Sequence, residues 1–250
     1  MENMLEQLFQ KVYKGSMDEF MKVQKSLWAQ GEKNFIVTAN PEIFSLALIE
    51  APYGEILTHE QTTIVADGIG VVKGAGYLGY EVAERLPGVE LTVALLTALN
   101  EKKGSLAMVG AREEVLKDLI QSMEKTYPQV QVVYADNGYD FQPSLFLEAV
   151  KEKAPDLILA ALGAPKQEQI LWEAYQVAKQ GIFMGVGGSF DVLSGHKKRA
   201  PKVFIQLKLE WAYRILKEPK RFSRFFKSNL RFLRGLQKTK KHLRRNGAEV

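Results

Sequence analysis

The stretch LILAAL, Leu157–Leu162, decides the fold class of this chain. It is apolar at every position, so a strand formed here must be covered on both faces, as in a parallel sheet flanked by helices. Further short β-rich runs occur at Phe35–Thr38, Thr62–Ala66, Ser105–Val109, Val130–Tyr134 and Ile182–Val186.

Helix-length patterns separate these runs. They are Met17–Gln30, Pro41–Glu50, Val82–Lys102, Glu113–Tyr127, Pro143–Lys153 and Lys166–Lys179. Strict alternation of strands and helices predicts an α/β protein with a Rossmann-like, doubly wound, mostly parallel sheet. We expect residues 1–200 to form this domain and residues 201–250 to form a C-terminal basic, amphipathic helical appendage.

The bulk composition is that of a soluble globular protein, with 46% hydrophobic and 25% charged residues in a chain of 250. The chain contains no cysteine, which excludes disulfides and thiolate metal sites. No secretory signal is visible at the start, and no apolar run approaches the roughly 20 residues that span a bilayer. These features predict a cytoplasmic protein without a membrane span.

Charge is distributed unevenly along the chain. Residues 202–245 contain fifteen Lys and Arg against two acids, a net charge of +13 within a total of +5, so the remainder carries −8. An acidic body with a strongly basic tail indicates a polyanionic partner, such as anionic lipid, a phosphorylated substrate or nucleic acid.

The tail pattern favours lipid among these partners. Apolar side chains recur at helical spacing, at Phe222, Phe225, Phe226, Leu230, Leu233 and Leu236. Lys and Arg fill the other side, which is typical of a helix lying among lipid headgroups. Basic residues interleaved with Phe would also suit RNA, but here the aromatic residues segregate to one face. We therefore predict an anionic membrane surface, and no nucleic acid, as the partner of the tail.

Polar residues follow the first two predicted strands, at the sheet edge where such folds bind ligands. Asn40 before Pro41 is explained by helix capping, which leaves Thr38 unexplained. Asp67 directly follows a strand, where a carboxylate either caps the next helix or acts in catalysis.

Three later strand ends also carry candidate ligand-binding residues. Gly110 and Arg112 lie in a turn that suits a phosphate or a sugar. Lys166 and Gln167 begin a helix whose backbone donors point toward a ligand. The last of the three ends is glycine-rich and closes on an acid, with Gly185, Gly187, Gly188 and Asp191.

Metal and dinucleotide sites are not indicated. The histidines His59, His196 and His242 are scattered, and no Asp-x-Asp pair occurs. The G-x-G-x-x-G match at Gly74–Gly79 lacks the strand that must immediately precede it in a dinucleotide fold. We expect neither a metal nor another cofactor.

Several longer motifs extend over most of the chain. They are T-A-N-P-E at Thr38–Glu42, D-G-I-G-V-V at Asp67–Val72, E-R-L-P-G-V-E-L at Glu84–Leu91, G-A-P-K-Q-E at Gly163–Glu168, G-V-G-G-S-F-D at Gly185–Asp191, R-A-P at Arg199–Pro201, and E-W-A-Y-R with E-P-K-R within Glu210–Arg221. In these motifs the chain resembles the WecG/TagA/CpsF glycosyltransferases, glycosyltransferase family 26. The resemblance runs from Thr38 to Arg224.

The resemblance implies an inverting, metal-independent transfer of a hexosamine-type sugar from a UDP-sugar to a polyprenyl-diphosphate-linked acetamido sugar. The specific expectation is N-acetylmannosamine moved from UDP-N-acetylmannosamine to undecaprenyl-diphosphate-GlcNAc, in the linkage-unit step of wall teichoic acid synthesis. Such enzymes are peripheral proteins on the inner face of the cell membrane. A homo-oligomer is compatible with this expectation.

The resemblance also implies roles for individual residues. Asp67 maps to the family's catalytic base, with Thr38 and Asn40 bonding a sugar and Gln167 with Lys166 holding the donor. Members of a larger set shape the uridine diphosphate pocket or stabilise its charge: Gly110, Arg112, Gly185, Gly187, Gly188, Arg214, Arg221 and Arg224. Asp191 either binds the uridine or ribose or caps the next helix.

Other functions remain open from the sequence. The same reaction type could use N-acetylmannosaminuronic acid, glucose or galactose as the donor sugar. From other classes, the chain could be a nucleic-acid-binding protein with a basic arm, or a nucleotide-binding scaffold without catalysis.

Overall fold

A computed structural model describes residues 4–201, 203–204, 210–217 and 222–245. It contains one six-stranded sheet in which every neighbouring pair is parallel. The strands are β1 (Lys33–Ala39), β2 (Thr62–Ala66), β3 (Ser105–Gly110), β4 (Gln131–Asp136), β5 (Leu157–Ala161) and β6 (Gly181–Gly185), in the order β2-β1-β6-β5-β3-β4. The predicted Rossmann-like α/β fold is confirmed.

Helices cover both faces of the sheet. They are α1 (Met4–Gln10), α2 (Met17–Gln30), α3 (Pro41–Ala47), α4 (Ala51–Thr58), α5 (Ile69–Tyr77), α6 (Gly88–Lys102), α7 (Glu113–Thr126), α8 (Pro143–Lys153), α9 (Lys166–Val177), α10 (Ser189–Leu193), α11 (Glu210–Lys217) and α12 (Phe222–Arg245). Successive strand residues point to opposite sides, so Phe183 joins the core under α3, α5 and α9, while Met184 joins the core under α2, α6 and α7.

Local signals explain where several helices begin. Ser16 and Glu19 form a capping box at the start of α2, and Gly31 ends that helix at φ 68°. Asn40 caps α3 by accepting hydrogen bonds from the backbone of Glu42 and Ile43. These caps set the direction in which the chain leaves β1 at the sheet edge.

The predicted helix Val82–Lys102 is wrong in its first part. Helix α6 begins at Gly88, and Pro87 before it has an extended ψ of 132°. Proline disfavours helical backbone in the residue before it and cannot donate the next hydrogen bond, so the pattern had to stop there. The preceding segment instead reaches the sheet edge, where Leu86 N–H donates to Ala66 O at 2.9 Å.

The chain leaves neighbouring strands in opposite directions at the carboxyl edge. After β1 and β5 it enters α3 and α9 on one face, whereas after β6 it enters α10 on the other. Such reversals open a crevice above the strand ends. The glycine turn after β6 lies in this crevice, between the ends of β1 and β5.

Helix α12 is divided between two environments. Phe232, Leu236 and Leu243 are buried in the core that also contains α1, α3 and α5. The prediction that a single apolar face of this helix meets lipid is therefore wrong in one respect, because Leu236 lies on the buried side. A separate exposed stripe remains, formed by Phe222, Phe226, Leu230 and Leu233. Among the described residues, no helix is long and apolar enough to cross a membrane.

Candidate active site

Asp67 lies at the carboxyl end of β2 and reaches across to the start of α6. Its Oδ1 accepts a hydrogen bond of 2.7 Å from Gly88 N–H, the first residue of that helix. A carboxylate at a helix N-terminus is stabilised by the partial positive charge there. Asp67 therefore caps a helix distant in sequence, and the same contact fixes its carboxylate at the sheet edge.

Thr38 lies beside Asp67 at the end of β1. Its hydroxyl donates to Gly185 O on β6 at 3.2 Å. A Cβ added to Gly88 would lie 3.5 Å from Thr38 Cγ2 and 3.7 Å from Asp67 Oδ1, so both side chains border this glycine. The ends of β2, β1 and β6 thus bring a carboxylate and a hydroxyl into one small region.

Gln167 continues this series of contacts to β5. Its Oε1 accepts from Gly163 N–H and from Gly187 N–H, both at 3.1 Å, and its Nε2 donates to Glu168 Oε1 at 2.7 Å. The side chain is 4% exposed. The amide therefore joins the turns after β5 and β6, a local role in backbone positioning that the sequence did not reveal.

Glu168 is a buried carboxylate that the sequence analysis did not single out. It is 1% exposed, and burial raises its pKa to about 7, an effect that the hydrogen bond from Gln167 and the nearby Tyr53 hydroxyl partly oppose. Burial also raises the pKa of the Tyr53 hydroxyl, and the charge of Glu168 adds to this. The signal in the sequence that could have identified Glu168 was its position next to Gln167 in the G-A-P-K-Q-E motif.

The predicted glycines fall into two groups. Gly187 and Gly188 border open space. A Cβ added to Gly187 would have no atom within 4 Å, and one added to Gly188 would have its nearest neighbour 4.0 Å away. Gly185 instead faces Gln167 Nε2, 2.5 Å from where a Cβ would be, and Gly110 faces the Ala161 backbone at 2.6 Å. Only the first group can line a ligand cavity directly; the second is glycine because the protein itself occupies the space.

Other predicted binding residues lie around the same edge with varied partners. Arg112 pairs with Glu114 at 3.1 Å on the surface. Lys166 Nζ lies 5.6 Å from the centre of the Phe141 ring. Asp191 lies in the first turn of α10, with Lys197 at 3.8 Å. These three roles stay predictions.

The arginines proposed to bind the diphosphate are only partly described. Arg224, at the start of α12, pairs with Glu42 at 2.8 Å and is 66% exposed. An ion pair with so exposed a partner contributes little net free energy. The Arg214 side chain and the whole of Arg221 lie outside the described residues.

A group of ion pairs joins α11 to the body. Glu210 on α11 is 9% exposed and lies 3.9 Å from both Arg85 and Arg199. Arg199 also pairs with Glu90 on α6. Arg85 and Glu210 were not assigned roles from the sequence, although both lie in the quoted motifs. No group of three or more potential metal ligands occurs among the residues that the structure describes.

The fold and the residues at its carboxyl edge define an α/β protein with a candidate site above its strand ends. The chain belongs to the glycosyl transferase WecG/TagA/CpsF family, whose model matches residues 6–246. The match includes α12 as well as the sheet.

Two relatives with named activities are similar to this chain over most of its length. A Staphylococcus aureus (strain MW2) protein is 34% identical over 223 residues, which cover 88% of this chain and 87% of that protein. A Bacillus spizizenii protein is 35% identical over 195 residues, covering 78% and 76%. Both are called N-acetylglucosaminyldiphosphoundecaprenol N-acetyl-beta-D-mannosaminyltransferase.

Proposed function

We propose that this chain transfers N-acetylmannosamine from UDP-N-acetylmannosamine to undecaprenyl-diphosphate-linked GlcNAc, with inversion and without a metal, in wall teichoic acid synthesis. The observation that supports it best is the row of neighbouring groups along the sheet edge, two pairs of which are hydrogen-bonded. Asp67, Gly88, Thr38, Gly185 and Gln167 follow one another across four strand ends. Both named relatives carry out a transfer of this kind according to their names.

In this proposal Asp67 is the general base. Its carboxylate takes the proton of the acceptor hydroxyl while the hydroxyl oxygen bonds to the anomeric carbon and the bond from that carbon to UDP breaks. The hydrogen bond from Gly88 holds the carboxylate in one orientation. Positioning of this kind lowers the barrier because the reacting groups need not be brought together during the reaction.

The departing diphosphate needs positive charge where it leaves. The start of α9 offers Lys166 together with a helix N-terminus, which attracts anions. Open space beside Gly187 and Gly188 provides room for the nucleotide. Arg224 would exchange Glu42 for a phosphate oxygen, as guanidinium groups bind both in the same bidentate way.

In this proposal the enzyme works at the cytoplasmic side of a membrane, where it meets its lipid-linked acceptor. The exposed stripe of α12 supports this, because Phe222 and Phe226 are 56% and 57% exposed among many Lys and Arg. A basic helix with exposed aromatic residues binds anionic lipid surfaces through both forces together.

The deciding experiment measures UDP release from UDP-N-acetylmannosamine with a lipid-diphosphate-GlcNAc analogue. Asp67→Asn should abolish turnover and retain UDP binding and folding, whereas Asp18→Asn, an exposed aspartate on α2, should remain active. Near-normal turnover of Asp67→Asn would show that Asp67 is not the general base. Release only from another UDP-sugar reassigns the donor, and steep salt-dependent RNA binding with no UDP release would favour the nucleic-acid alternative.

A further inference from the structure

Three neighbours determine the orientation of the Gln167 amide, and Glu168 is the one that can change its protonation state. The side chain has one oxygen and one NH2 group, and the oxygen accepts from both glycine N–H groups while the NH2 group donates to Glu168. A flip of the amide would place its NH2 group against two N–H donors. An ionised Glu168 adds to this preference, because a carboxylate accepts the hydrogen bond from the NH2 group and has nothing to donate to a flipped amide oxygen.

The two glycines that Gln167 holds belong to the open cleft. Gly163 has φ 76° and Gly187 has φ 49°, and neither has any atom within 4 Å of where a Cβ would be. Both turns use left-handed backbone that glycine adopts easily, so their conformation depends on external hydrogen bonds. Gln167 supplies one to each of them.

Glu168 is costly to keep where it is. Its second oxygen, Oε2, and the Tyr53 hydroxyl are both buried without a hydrogen-bond partner of good geometry, although the two groups are close enough to shift each other's pKa. A buried carboxylate with incomplete hydrogen bonding destabilises a fold. Gly185, which has no side chain, makes room for it. Such a cost beside a ligand cleft indicates a functional reason.

We propose that Glu168 is a positioning residue for sugar transfer: its charged carboxylate anchors the NH2 end of the Gln167 amide, whose oxygen in turn holds the Gly163 and Gly187 turns in the shape that binds the donor diphosphate. This inference rests on the proposed function for its ligand. It does not make Glu168 a catalytic residue, because the carboxylate is buried below the turns and has no path to the reacting atoms.

The arrangement is sensitive to protonation. Protonation of Glu168 removes the charge that strengthens the hydrogen bond from Gln167 Nε2, and it adds an O–H donor beside the amide, so the amide is held less firmly in its one orientation. The groups acting on this carboxyl are Gln167 and Tyr53, and Glu42 and Glu50 act on Tyr53. Because burial raises the pKa of Glu168 to about 7, donor binding should weaken as the pH falls through that value.

Glu168→Gln tests the inference with almost no change in shape. A second amide can present either group to Gln167, so we expect the KM for the UDP-sugar to rise about tenfold, with folding retained. Glu173→Gln, on the exposed side of the same helix, is the matched control and should behave like the wild type. Tyr53→Phe keeps the carboxylate but removes a nearby hydroxyl that lowers its pKa, so the acidic limb of activity should move to higher pH.

The backbone amide signals of Gly163 and Gly187, followed by NMR between pH 5 and 9, give a readout that needs no turnover. We expect them to titrate together in the wild type and not in Glu168→Gln. Unchanged KM in Glu168→Gln, or amide signals that ignore pH, would overturn the positioning role. If the wild type turns over no UDP-sugar, the proposed function fails, and the amide titration still decides the role of Glu168.

Discussion

Replacing Gly74 by alanine tests how α12 docks on the body. An added Cβ would lie 3.0 Å from ring carbons of both Phe9 and Phe232, and 3.3 Å from Leu236 Cδ1. The two rings are 0% and 2% exposed, so neither can move aside into solvent. Gly76, two residues later in the same helix, has no atom within 4 Å of its Cβ position and is the matched control.

The two substitutions share one contribution and differ in another. Alanine in place of a helical glycine stabilises by about 0.5–1 kcal/mol in either case. Overpacking a buried contact costs about 1–3 kcal/mol, and this applies only at Gly74. We therefore expect Gly76→Ala to be slightly more stable than the wild type, and Gly74→Ala to be less stable than Gly76→Ala by about 1–3 kcal/mol.

Urea unfolding of both variants measures this difference directly. In a chain of this length 1 kcal/mol corresponds to a Tm change of about 2–4 °C, so thermal unfolding should separate the variants too. Gly74→Ala should also lose activity, because α12 carries Arg224. Adding Phe232→Leu, which frees space, should recover part of the loss as a non-additive effect. Equal stabilisation by both alanines would show that α12 does not pack on α5 as described.

Three further outcomes follow from particular contacts. Gly185→Ala should lower the free energy of unfolding, measured in urea, by about 1–3 kcal/mol, since its Cβ would lie 2.5 Å from a buried nitrogen. The Cβ of Gly188→Ala would have 4.0 Å of clearance, so this variant should fold normally and bind UDP more weakly in calorimetry. Phe226→Ser with Leu233→Ser, both exposed on α12, should reduce sedimentation with anionic vesicles about tenfold without changing Tm; unchanged sedimentation would remove the stripe from membrane binding. Glu168→Gln should flatten the pH dependence of stability between pH 4.5 and about 7. A carboxyl whose pKa is raised in the folded state stabilises that state at low pH, and this stabilisation is lost as the pH rises. If the slope persists in the variant, other groups cause the pH dependence.

Most of the sheet could be predicted because its signal is local. A strand such as LILAAL, Leu157–Leu162, shows its burial on both faces in its own residues, and the structure has β5 at Leu157–Ala161. Helix boundaries were predictable where a cap or a proline stood at the right place, as at Met17–Gln30. The helix predicted across Pro87 was wrong because periodicity was given more weight than the proline.

The candidate site was predictable in position but not in contacts. Parallel strands end at one edge, so Thr38, Asp67 and Gln167 were expected near one another. The Gln167 amide can bind the two glycine turns only because Gly185, which has no side chain, leaves space for it. No local pattern in the sequence carries that information. Glu168 was missed for the same reason, since a glutamate in a helical stretch ordinarily faces solvent.

By itself, the sequence determined the alternation of strands and helices, the sheet edge at which the candidate site lies, and the separation of an acidic body from a basic tail. These features follow from residue type and spacing along the chain. Only the tertiary structure decided which face of α12 is buried, which glycines border open space, and that a buried carboxylate holds the amide of Gln167. Such properties are set by groups distant in sequence, whose close approach depends on the packing of the whole sheet.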